Sequence, residues 1–417
     1  MKITLITLGT RGDVQPFAIL GNALLKKGHQ VTLSTSKNFK SLVESYGLNF
    51  HPVDSNSEDI IKTEDGQKIM QANLLAIQRN LSSLIYPIIK NSLNEFYQLA
   101  QKSDVIIYRT KTLADTFVDT LSCIAIRAAV VPAMEETSAF INPIMSGIKI
   151  PGFLNKWSYK LNDYRFKFFR KPINQFRLQN GLNQKIPDTF NTPSIYGIST
   201  HFLDRPTDWP VNNQLTGFWY SVEEATLEEN IVKFLNQGSP PILISFGSFP
   251  TKKEVNDLIL EAIKQINERF IIVESEGDWE SLKNKNAKIH FVKSVPFSAL
   301  LPKVRAVIHH GGIGTTAECL RAGKPMFICP PIYPFGDQFF WGSQAYSKGV
   351  GVKPLPLSKI NINVFTAGLK QLLNDKQLYS NSLKLAEKIN KEDGLTNAVS
   401  MIENIIETSN NQNKYSA

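Results

Sequence analysis

Short hydrophobic runs alternate with longer amphipathic stretches along most of this chain. The first half contains six apolar runs with the length of buried strands: residues 2–8, 30–34, 49–52, 105–108, 124–130 and 194–198. Helical spacing of apolar residues marks the stretches between them, beginning on one face with Val14, Phe17, Ala18, Gly21, Leu24 and Leu25 and including a long stretch at about 67–101. Because strands and helices alternate, we predict a parallel sheet wrapped by helices.

The second half repeats this alternation. Six more apolar runs are predicted strands: residues 242–246, 270–273, 289–291, 306–309, 326–329 and 350–352. The last hundred residues become helical, over 358–373, 376–389 and 397–406, and the polar tail 408–417 is expected to fray. The pattern therefore predicts a second sheet of the same kind.

Two similar halves separated by a punctuated segment indicate two domains. Pro206, Pro210 and Gly217 mark the segment between them. We predict an α/β protein with two doubly wound Rossmann-like domains facing a cleft, divided into residues 1–215, a linker 216–240, residues 241–390, and a C-terminal helix and tail 391–417. Ligands of such sheets bind at the carboxyl ends of strands where the strand order reverses, which places residues 9–13 and 309–316 at the cleft.

Composition adds the class of protein. Of the 417 residues, 42% are hydrophobic and 20% are charged, as in a soluble globular protein. The apolar N-terminal run is too short for a secretory h-region or a membrane span. Cys123, Cys319 and Cys329 are widely spaced within apolar runs, so we expect neither disulfides nor a metal cluster, and a cytoplasmic protein.

Residues 132–193 break the strand–helix alternation and are expected to build a substrate region, and positive charge is concentrated within them at residues 149–177. Eight basic residues stand there beside a single acid, Asp163, with aromatic residues interleaved. This composition suits a membrane surface or nucleic acid. In the alternative interpretation, which we favour, amphipathic helices turn their aromatics into a cavity for a hydrophobic small molecule, with Trp157, Phe169 and Phe140 as candidate contacts. We expect no nucleic-acid partner, and peripheral membrane contact stays open as the second interpretation.

A glycine-rich turn follows the apolar run that ends at residue 308. It reads His309-His310-Gly311-Gly312-Ile313-Gly314-Thr315-Thr316-Ala317-Glu318 and leads into a helix predicted over about 315–321. Glycines let backbone N–H groups approach a ligand, and a helix N-terminus presents unpaired donors and partial positive charge. We therefore predict an anion site, with phosphate as the expected guest. The alternative is a tight turn whose glycines only supply left-handed backbone angles.

Six motifs in order carry a resemblance to a known family. Gly9-Thr10-Arg11-Gly12-Asp13-Val14-Gln15-Pro16 resembles the opening of sterol glucosyltransferases and related bacterial enzymes of glycosyltransferase family 1. The remaining motifs are similar to the same group: Thr216-Gly217-Phe218-Trp219, Ser245-Phe246-Gly247-Ser248, Val295-Pro296, residues 309–316, and Gly336-Asp337-Gln338-Phe339-Phe340-Trp341-Gly342. The resemblance runs in order from residue 1 to about residue 400.

The resemblance implies the two-domain GT-B fold, with the acceptor in the N-terminal domain and a nucleotide-sugar donor in the C-terminal domain. It implies an inverting, metal-independent hexosyltransferase that moves a sugar, glucose foremost, from a UDP-sugar to a hydroxyl of a sterol, terpenoid or other lipid-like or natural-product acceptor. The UDP-sugar is a substrate, so no cofactor is expected. Alternatives are a TDP-sugar-dependent antibiotic or polyketide glycosyltransferase and a nucleotide-sugar epimerase of the same fold.

Residue roles follow from the same resemblance. Asp13 matches the base that takes the acceptor proton. His310 matches the pyrophosphate contact, Glu318 the ribose contact, and Asp337 with Gln338 the pair that binds sugar hydroxyls. The remaining donor-binding candidates are Thr10, Gly247, Ser248, Val295, Gly312, Gly314 and Thr315. No metal ligands are expected.

Each of these positions has a plainer interpretation. Asp13 could cap the helix that starts at Val14, and Asp337 could cap the helix that starts at Gln338. His309 could be a core residue at a strand end. Two departures from the family, Ser294 where many members have a base-stacking tryptophan and Phe297 where sterol-type members often have histidine, leave base recognition open.

Two further classes of protein fit the sequence less well. Gly312, Gly314 and Ala317 fit the spacing of a dinucleotide fingerprint, but that fingerprint normally follows the first strand of its domain, and the acid expected after the next strand is missing. A non-catalytic lipid- or sugar-binding protein is disfavoured because it has no need for a base such as Asp13.

Overall fold

We describe a computed structural model of the chain. The residues it describes are 1–53, 83, 85–160, 162, 167–183, 192–221, 225–247, 249, 251–274 and 287–415, with side chains as far as residue 411. The candidate Ser248, the first part of the helix predicted at 67–101, and two aromatics of the basic block, Tyr164 and Phe166, lie outside these ranges.

The first half folds into a seven-stranded parallel sheet. Its strands lie in the order β3-β2-β1-β4-β5-β6-β7. They are β1 (Lys2–Ile6), β2 (Gln30–Ser36), β3 (Asn49–Val53), β4 (Val105–Tyr108), β5 (Ile124–Ala129), β6 (Ser194–Tyr196) and β7 (Asn213–Leu215). The six predicted strands are confirmed. The seventh was not predicted, because three residues with a single apolar side chain carry no strand pattern.

Five α-helices are described in this half: α1 (Arg11–Lys26), α2 (Lys40–Ser45), α3 (Tyr86–Ala100), α4 (Asn155–Ser158) and α5 (Arg170–Gln179). The predicted apolar face of α1 is buried against the sheet. Gly21 lies on that face, and a Cβ there would stand 2.7 Å from Leu5 and 2.8 Å from Leu48. Because Gly21 has no side chain, α1 can pack close to β1.

The second half forms a six-stranded parallel sheet in the order β10-β9-β8-β11-β12-β13. Its strands are β8 (Ile242–Ser245), β9 (Phe270–Val273), β10 (Ile289–Val292), β11 (Ala306–His309), β12 (Met326–Ile328) and β13 (Gly351–Val352). All six were predicted from their apolar runs. The helices are α6 (Glu229–Leu235), α7 (Lys253–Lys264), α8 (Phe297–Leu300), α9 (Ile313–Arg321), α10 (Gln338–Ser347), α11 (Ile362–Asn374) and α12 (Lys376–Ile389).

Strand order reverses once in each sheet, between β1 and β4 and between β8 and β11. The loops that leave the carboxyl ends of these strands open a crevice in a doubly wound sheet. The motif at residues 9–13 follows β1, and the glycine-rich turn follows β11. The topology therefore places both motifs at the two crevices, as predicted.

The last helix, α13 (Gly394–Tyr415), returns to the first half and packs against α1. Ala398, Val399 and Ile402 are buried in the core that both halves share. The expectation that the tail frays from residue 408 is wrong as far as Tyr415, because the helix continues to that residue. No helix in the described ranges has both the length and the apolar character needed to cross a bilayer.

Candidate active site

Asp13 lies in the first turn of α1, directly after β1. The backbone N–H of Thr10 donates to Asp13 Oδ2 at 2.8 Å, and the Thr10 hydroxyl lies 3.3 Å from the same oxygen. The helix begins at Arg11 rather than at Val14, so Asp13 is its third residue and binds back to the residue before the helix. The capping role is therefore real, but it uses only one carboxylate oxygen.

The other oxygen of Asp13 faces two cations. Arg109 Nη1 forms an ion pair with Asp13 Oδ1, and Lys111 Nζ lies 3.6 Å from the same oxygen. The side chains of Asp13 and Arg109 are 13% and 8% exposed, whereas that of Lys111 is 57% exposed. Neither cation was predicted from the sequence. In the sequence they are marked only by their position after β4. That position points to the site only when β4 is known to lie beside β1, because the loops after the two strands are then neighbours.

Asp337 approaches the same two cations from the other half of the molecule. Burial lowers the pKa of Arg109 to about 10, and the negative charge of Asp337 acts in the opposite direction. The Arg109 guanidinium lowers the pKa of Lys111, and the charge of Asp337 again opposes this effect. Arg109 is therefore paired with Asp13 and lies within electrostatic range of Asp337, so the two predicted site carboxylates lie in the same region of the molecule.

The glycine-rich turn is shaped around its two histidines. His309 is fully buried, and its Nδ1 accepts the Gly311 N–H at 3.1 Å, so it is a core residue that supports the turn. The His310 ring lies between two glycines. A Cβ added to Gly247 would stand 3.1 Å from the ring, and a Cβ added to Gly312 would stand even closer to it. Gly311 has φ +91, and a Cβ there would stand 2.6 Å from Ile328.

Burial decides the charge of both histidines. It lowers the pKa of His309 well below its ordinary value, with the charge of His310 acting in the same direction. It lowers the pKa of His310 to about 4, and the backbone of Ser245 acts in the opposite direction. At neutral pH the His310 imidazole is therefore neutral, with one N–H to donate and one nitrogen to accept.

The helix behind the turn presents unpaired backbone donors. It begins at Ile313, two residues earlier than predicted, after Gly312. Thr316 N is bonded to Gly312 O at 3.0 Å, whereas the first-turn N–H groups before it have no acceptor within the helix. Gly314 is exposed with open space at its Cα, and Thr315 is half-buried. These N–H groups and the helix dipole favour an anion.

Glu318 lies on the second turn of α9. Burial raises the pKa of its carboxyl, and Arg321, whose Nε is 3.9 Å from Glu318 Oε2, lowers it. Tyr220 from the segment between the sheets lies beside it: its hydroxyl donates to Ala317 O at 3.0 Å, and the Arg321 guanidinium lies 4.8 Å from its ring. Tyr220 was not predicted as a site residue, although it directly follows the motif at 216–219.

Asp337 precedes α10 but makes no capping hydrogen bond through its side chain. Its Oδ2 instead accepts a hydrogen bond from Trp341 Nε1 at 2.9 Å. The simple capping interpretation is therefore not what the structure shows. Gln338 is buried, and its Oε1 accepts from Ile332 N at 3.3 Å.

The loop before α10 contacts the first half of the chain. Gly336 N donates to Ile144 O at 2.7 Å, and the Tyr333 hydroxyl donates to Gly147 O at 2.9 Å. One of the acceptor candidates, Phe140, lies 5.3 Å from Phe340 of α10, measured between ring centroids. Phe140 therefore borders the helix that follows Asp337.

The other predicted site residues are placed less distinctively. Phe169 is half-buried against the cluster around α3, and Trp157 is 65% exposed, so Trp157 does not line a closed cavity. Val295 packs partly against the core. Within the described ranges no three His, Cys, Asp or Glu side chains gather as metal ligands do. The roles assigned to these residues stay predictions.

Two family profiles match the chain. The glycosyltransferase family 28 N-terminal domain matches residues 3–163, and the erythromycin biosynthesis protein CIII-like C-terminal domain matches residues 257–405. The chain therefore carries a domain similar to those of glycosyltransferases in its first half and a domain similar to that of an erythromycin biosynthesis protein in its second. The resemblance inferred from the six motifs is therefore confirmed, and each profile covers most of one sheet, β1 to β5 in the first half and β9 to β13 in the second.

Relatives of the chain include plant, bacterial and fungal enzymes. Sterol 3-beta-glucosyltransferase UGT80A2 of Arabidopsis thaliana is 30% identical over 423 residues, covering 96% of this chain and 64% of the relative. O-mycaminosyltylonolide 6-deoxyallosyltransferase of Streptomyces fradiae is 26% identical over 429 residues, covering 98% of both. The chain spans 26% to 35% of the length of fungal sterol 3-beta-glucosyltransferases.

Solved structures show the same fold. The glycosyltransferase of kitacinnamycin aligns with a TM-score of 0.72 at 14% identity, covering 97% of this chain and 98% of that one. The glycosyltransferase VinC in complex with DTDP aligns with a TM-score of 0.67 at 15% identity, covering 98% and 100%. The predicted pair of Rossmann-like domains is thereby confirmed.

Proposed function

We propose that this protein moves a sugar, glucose foremost, from a UDP-sugar to a hydroxyl of a hydrophobic acceptor such as a sterol, terpenoid or other lipid-like aglycone. The transfer inverts the anomeric centre and uses no metal ion. One observation carries the proposal: the ion pair of Asp13 with Arg109 in the first half lies within electrostatic range of Asp337 in the second. A candidate base and a candidate sugar-binding carboxylate therefore lie in the same region.

The reaction follows from this arrangement. The acceptor hydroxyl oxygen attacks the anomeric carbon on the face opposite the diphosphate, and the bond from that carbon to the phosphate oxygen breaks with its electron pair on UDP. Asp13 takes the hydroxyl proton. Because an alcohol is far less acidic than a carboxylic acid, this proton moves as the new bond forms. Water then removes the proton from Asp13.

The glycine-rich turn is suited to the departing diphosphate. Negative charge develops on the phosphate oxygens as the bond breaks, and the free N–H groups at the start of α9 stabilise such charge without rearranging. His310 adds a neutral imidazole N–H whose ring is fixed by Gly247 and Gly312. These donors support a mechanism without a metal ion.

The remaining predicted contacts divide the donor between them. Glu318, beside Tyr220 and Arg321, is suited to accept hydrogen bonds from the ribose hydroxyls. Asp337 is suited to the sugar hydroxyls, since the Trp341 indole orients its carboxylate. TDP-sugars are a second donor class, since VinC, whose structure shares this fold, is solved in complex with DTDP.

The test uses the purified chain with UDP-glucose or TDP-glucose, excess EDTA, and a panel of sterols, terpenoids, polyketides and phenols. Mass spectrometry detects the added hexose, and the proton coupling at the anomeric carbon gives its configuration. A β-linked product from α-configured UDP-glucose in EDTA is expected. Retention of configuration, or dependence on a divalent ion, would refute the mechanism, and faster transfer from TDP-glucose would select the second donor class.

We also propose that the protein meets a membrane surface at residues 149–160 while it takes up its acceptor. Phe153 and Trp157 are 84% and 65% exposed, four positions apart around α4, and Lys149, Lys156 and Lys160 are exposed on the same segment. Aromatic rings flanked by cations are suited to the interface of a bilayer with anionic lipids. The segment continues from residues 144–147, which contact the loop before Asp337. A lipid-like acceptor would therefore enter beside the cleft.

The structure corrects the charge count that the sequence suggested for this block. Lys156 Nζ lies 3.5 Å from Asp208, and Lys160 Nζ lies 3.9 Å from Glu136. Arg177 is fully buried and cannot reach a surface. Because acids from other segments offset several of the cations, we assign most of the attachment to insertion of Phe153 and Trp157 rather than to electrostatic attraction.

A further inference from the structure

The position of Arg109 is set by two neighbouring strands. Tyr108 pairs with Ile6 at the carboxyl ends of β4 and β1, and Arg109 N donates to Ile6 O at 3.0 Å. The backbone of Arg109 is therefore joined to the end of β1, seven residues before Asp13. The ion pair connects the two loops that leave the point where strand order reverses.

The loop after Arg109 holds it in place. Thr112 donates twice to Arg109 O, from its N–H at 2.9 Å and from its hydroxyl at 2.6 Å. Leu113, the next residue, has φ +59, a left-handed conformation that costs energy for a residue with a side chain. Arg109 is thus a fixed, buried cation rather than a mobile surface charge.

Charged groups reach this centre from both halves of the molecule. In the part of the chain that the structure describes, Arg109 and Lys111 face Asp13 from the loop after β4, and Thr10 binds it from its own helix. Asp337 of the second half acts on the two cations electrostatically. When Asp13 takes a proton, Asp337 still balances part of the charge on Arg109.

Resting on the proposed transfer reaction, we propose that Arg109 is a positioning residue for Asp13. Its guanidinium keeps the carboxylate ionised and fixes Oδ1, while Thr10 fixes Oδ2. A cation in direct contact with a carboxylate favours the charged form, which is the form that can accept a proton from the acceptor hydroxyl. Arg109 therefore sets the pH below which the base is lost.

The test compares three variants of the whole chain by the pH dependence of kcat. Arg109→Met removes the charge and keeps the length, Arg109→Lys keeps the charge, and Lys111→Met removes the more exposed neighbour. In Arg109→Met the acidic limb of the profile should move up by about one pH unit or more, because such ion pairs lower carboxyl pKa values by about 1–3. The plateau of kcat should fall about 10- to 100-fold as the carboxylate loses its orientation.

Arg109→Lys should restore the acidic limb to within a few tenths of the wild-type position, and Lys111→Met should move it less than Arg109→Met does. An acidic limb that stays in place while kcat falls would overturn the proposal and assign Arg109 to the fold or to substrate contact. If Arg109→Met does not fold, the uncharged variant Arg109→Gln takes its place. An acidic limb shifted equally far in Arg109→Lys and Arg109→Gln would then overturn the proposal.

A second measurement does not depend on transfer. The carboxyl carbon of Asp13, assigned with Asp13→Asn, is titrated by ¹³C NMR in the wild-type protein and in Arg109→Met. Its midpoint should rise in the variant, and equal midpoints would overturn the proposal. A wild-type chain that transfers no sugar from any donor would refute the proposed function, whereas this titration would still decide the relationship between Arg109 and Asp13.

Discussion

Trp341 donates a hydrogen bond from its indole Nε1 to Asp337 Oδ2 at 2.9 Å, one turn along the same helix. Trp341 is fully buried between Phe340 and Phe202, so the indole cannot move without disturbing the core. The core thus fixes the orientation of a carboxylate that faces the cleft. An aromatic residue that sequence reasoning would assign to packing also determines where a sugar-binding group points.

Asp337→Asn should separate sugar recognition from nucleotide recognition. The amide oxygen of asparagine can still accept the Trp341 hydrogen bond, but the negative charge is lost. Hydrogen bonds to charged groups contribute about 1.5–3 kcal/mol, so the affinity for UDP-glucose should fall about 10- to 100-fold. The affinity for UDP, which lacks the sugar hydroxyls, should stay the same, and titration calorimetry measures both. Equal losses for the two ligands would mean that Asp337 does not contact the sugar.

Asp13→Asn tests the base. Asparagine retains the size of aspartate and can accept from Thr10 N–H, so the start of α1 is preserved. Because the amide cannot take the acceptor proton, kcat should fall by about two to four orders of magnitude with donor affinity unchanged. Steady-state kinetics and UDP binding measure the two effects. A variant with the wild-type rate but lower thermal stability would leave Asp13 with its capping role alone.

The fold was largely predictable from sequence, whereas the centre of the site was not. Twelve strands were predicted because parallel strands buried on both faces carry uninterrupted apolar runs. Asp13 and His310 could be found because their flanking glycines and motifs have fixed spacing. Arg109 and Lys111 carry no local pattern, since their importance depends on β4 lying beside β1, which only the topology reveals.

The solvent exposure of Trp157 could not be predicted from the sequence either. The pattern of Trp157 among lysines fits both an internal cavity and a surface, because an amphipathic helix can turn either face inward. Its large exposed fraction follows from tertiary packing of a short helix, α4, which only the fold determines. Likewise, the acids that pair with Lys156 and Lys160 lie outside the basic block in sequence and could not be assigned in advance.

His310 should make stability depend on pH. Its pKa is about 4 in the folded protein, whereas histidine in an unfolded chain titrates near 6.5. Between these values the unfolded chain binds a proton that folded His310 does not, so the free energy of unfolding falls as the pH drops from about 6.5 toward 4. From pH 7.5 to pH 5, His310→Gln should therefore lose about 2 kcal/mol less than the wild type.

Urea denaturation at the two pH values measures this difference. Other buried groups contribute to both proteins: burial raises the pKa of Glu135 to about 7, which acts in the opposite direction, and His309 behaves like His310. These contributions cancel when the variant is compared with the wild type. If both proteins lose the same stability, the His310 imidazole is not held neutral by burial.

Membrane attachment should depend on two exposed rings. The wild-type protein should sediment with vesicles of anionic lipid, and the double variant Phe153→Ser, Trp157→Ser should remain in the supernatant. Lys156→Gln with Lys160→Gln is the matched control for charge on the same segment, and it should weaken attachment less, because both lysines already face acidic side chains. High salt should leave much of the wild-type protein bound, since apolar insertion is not screened by ions while Coulomb attraction is. Complete release in high salt would show that the attachment depends on charge. If the wild-type protein does not bind vesicles, Trp157 is instead assigned to the acceptor site. Its fluorescence should then respond to a soluble hydrophobic acceptor.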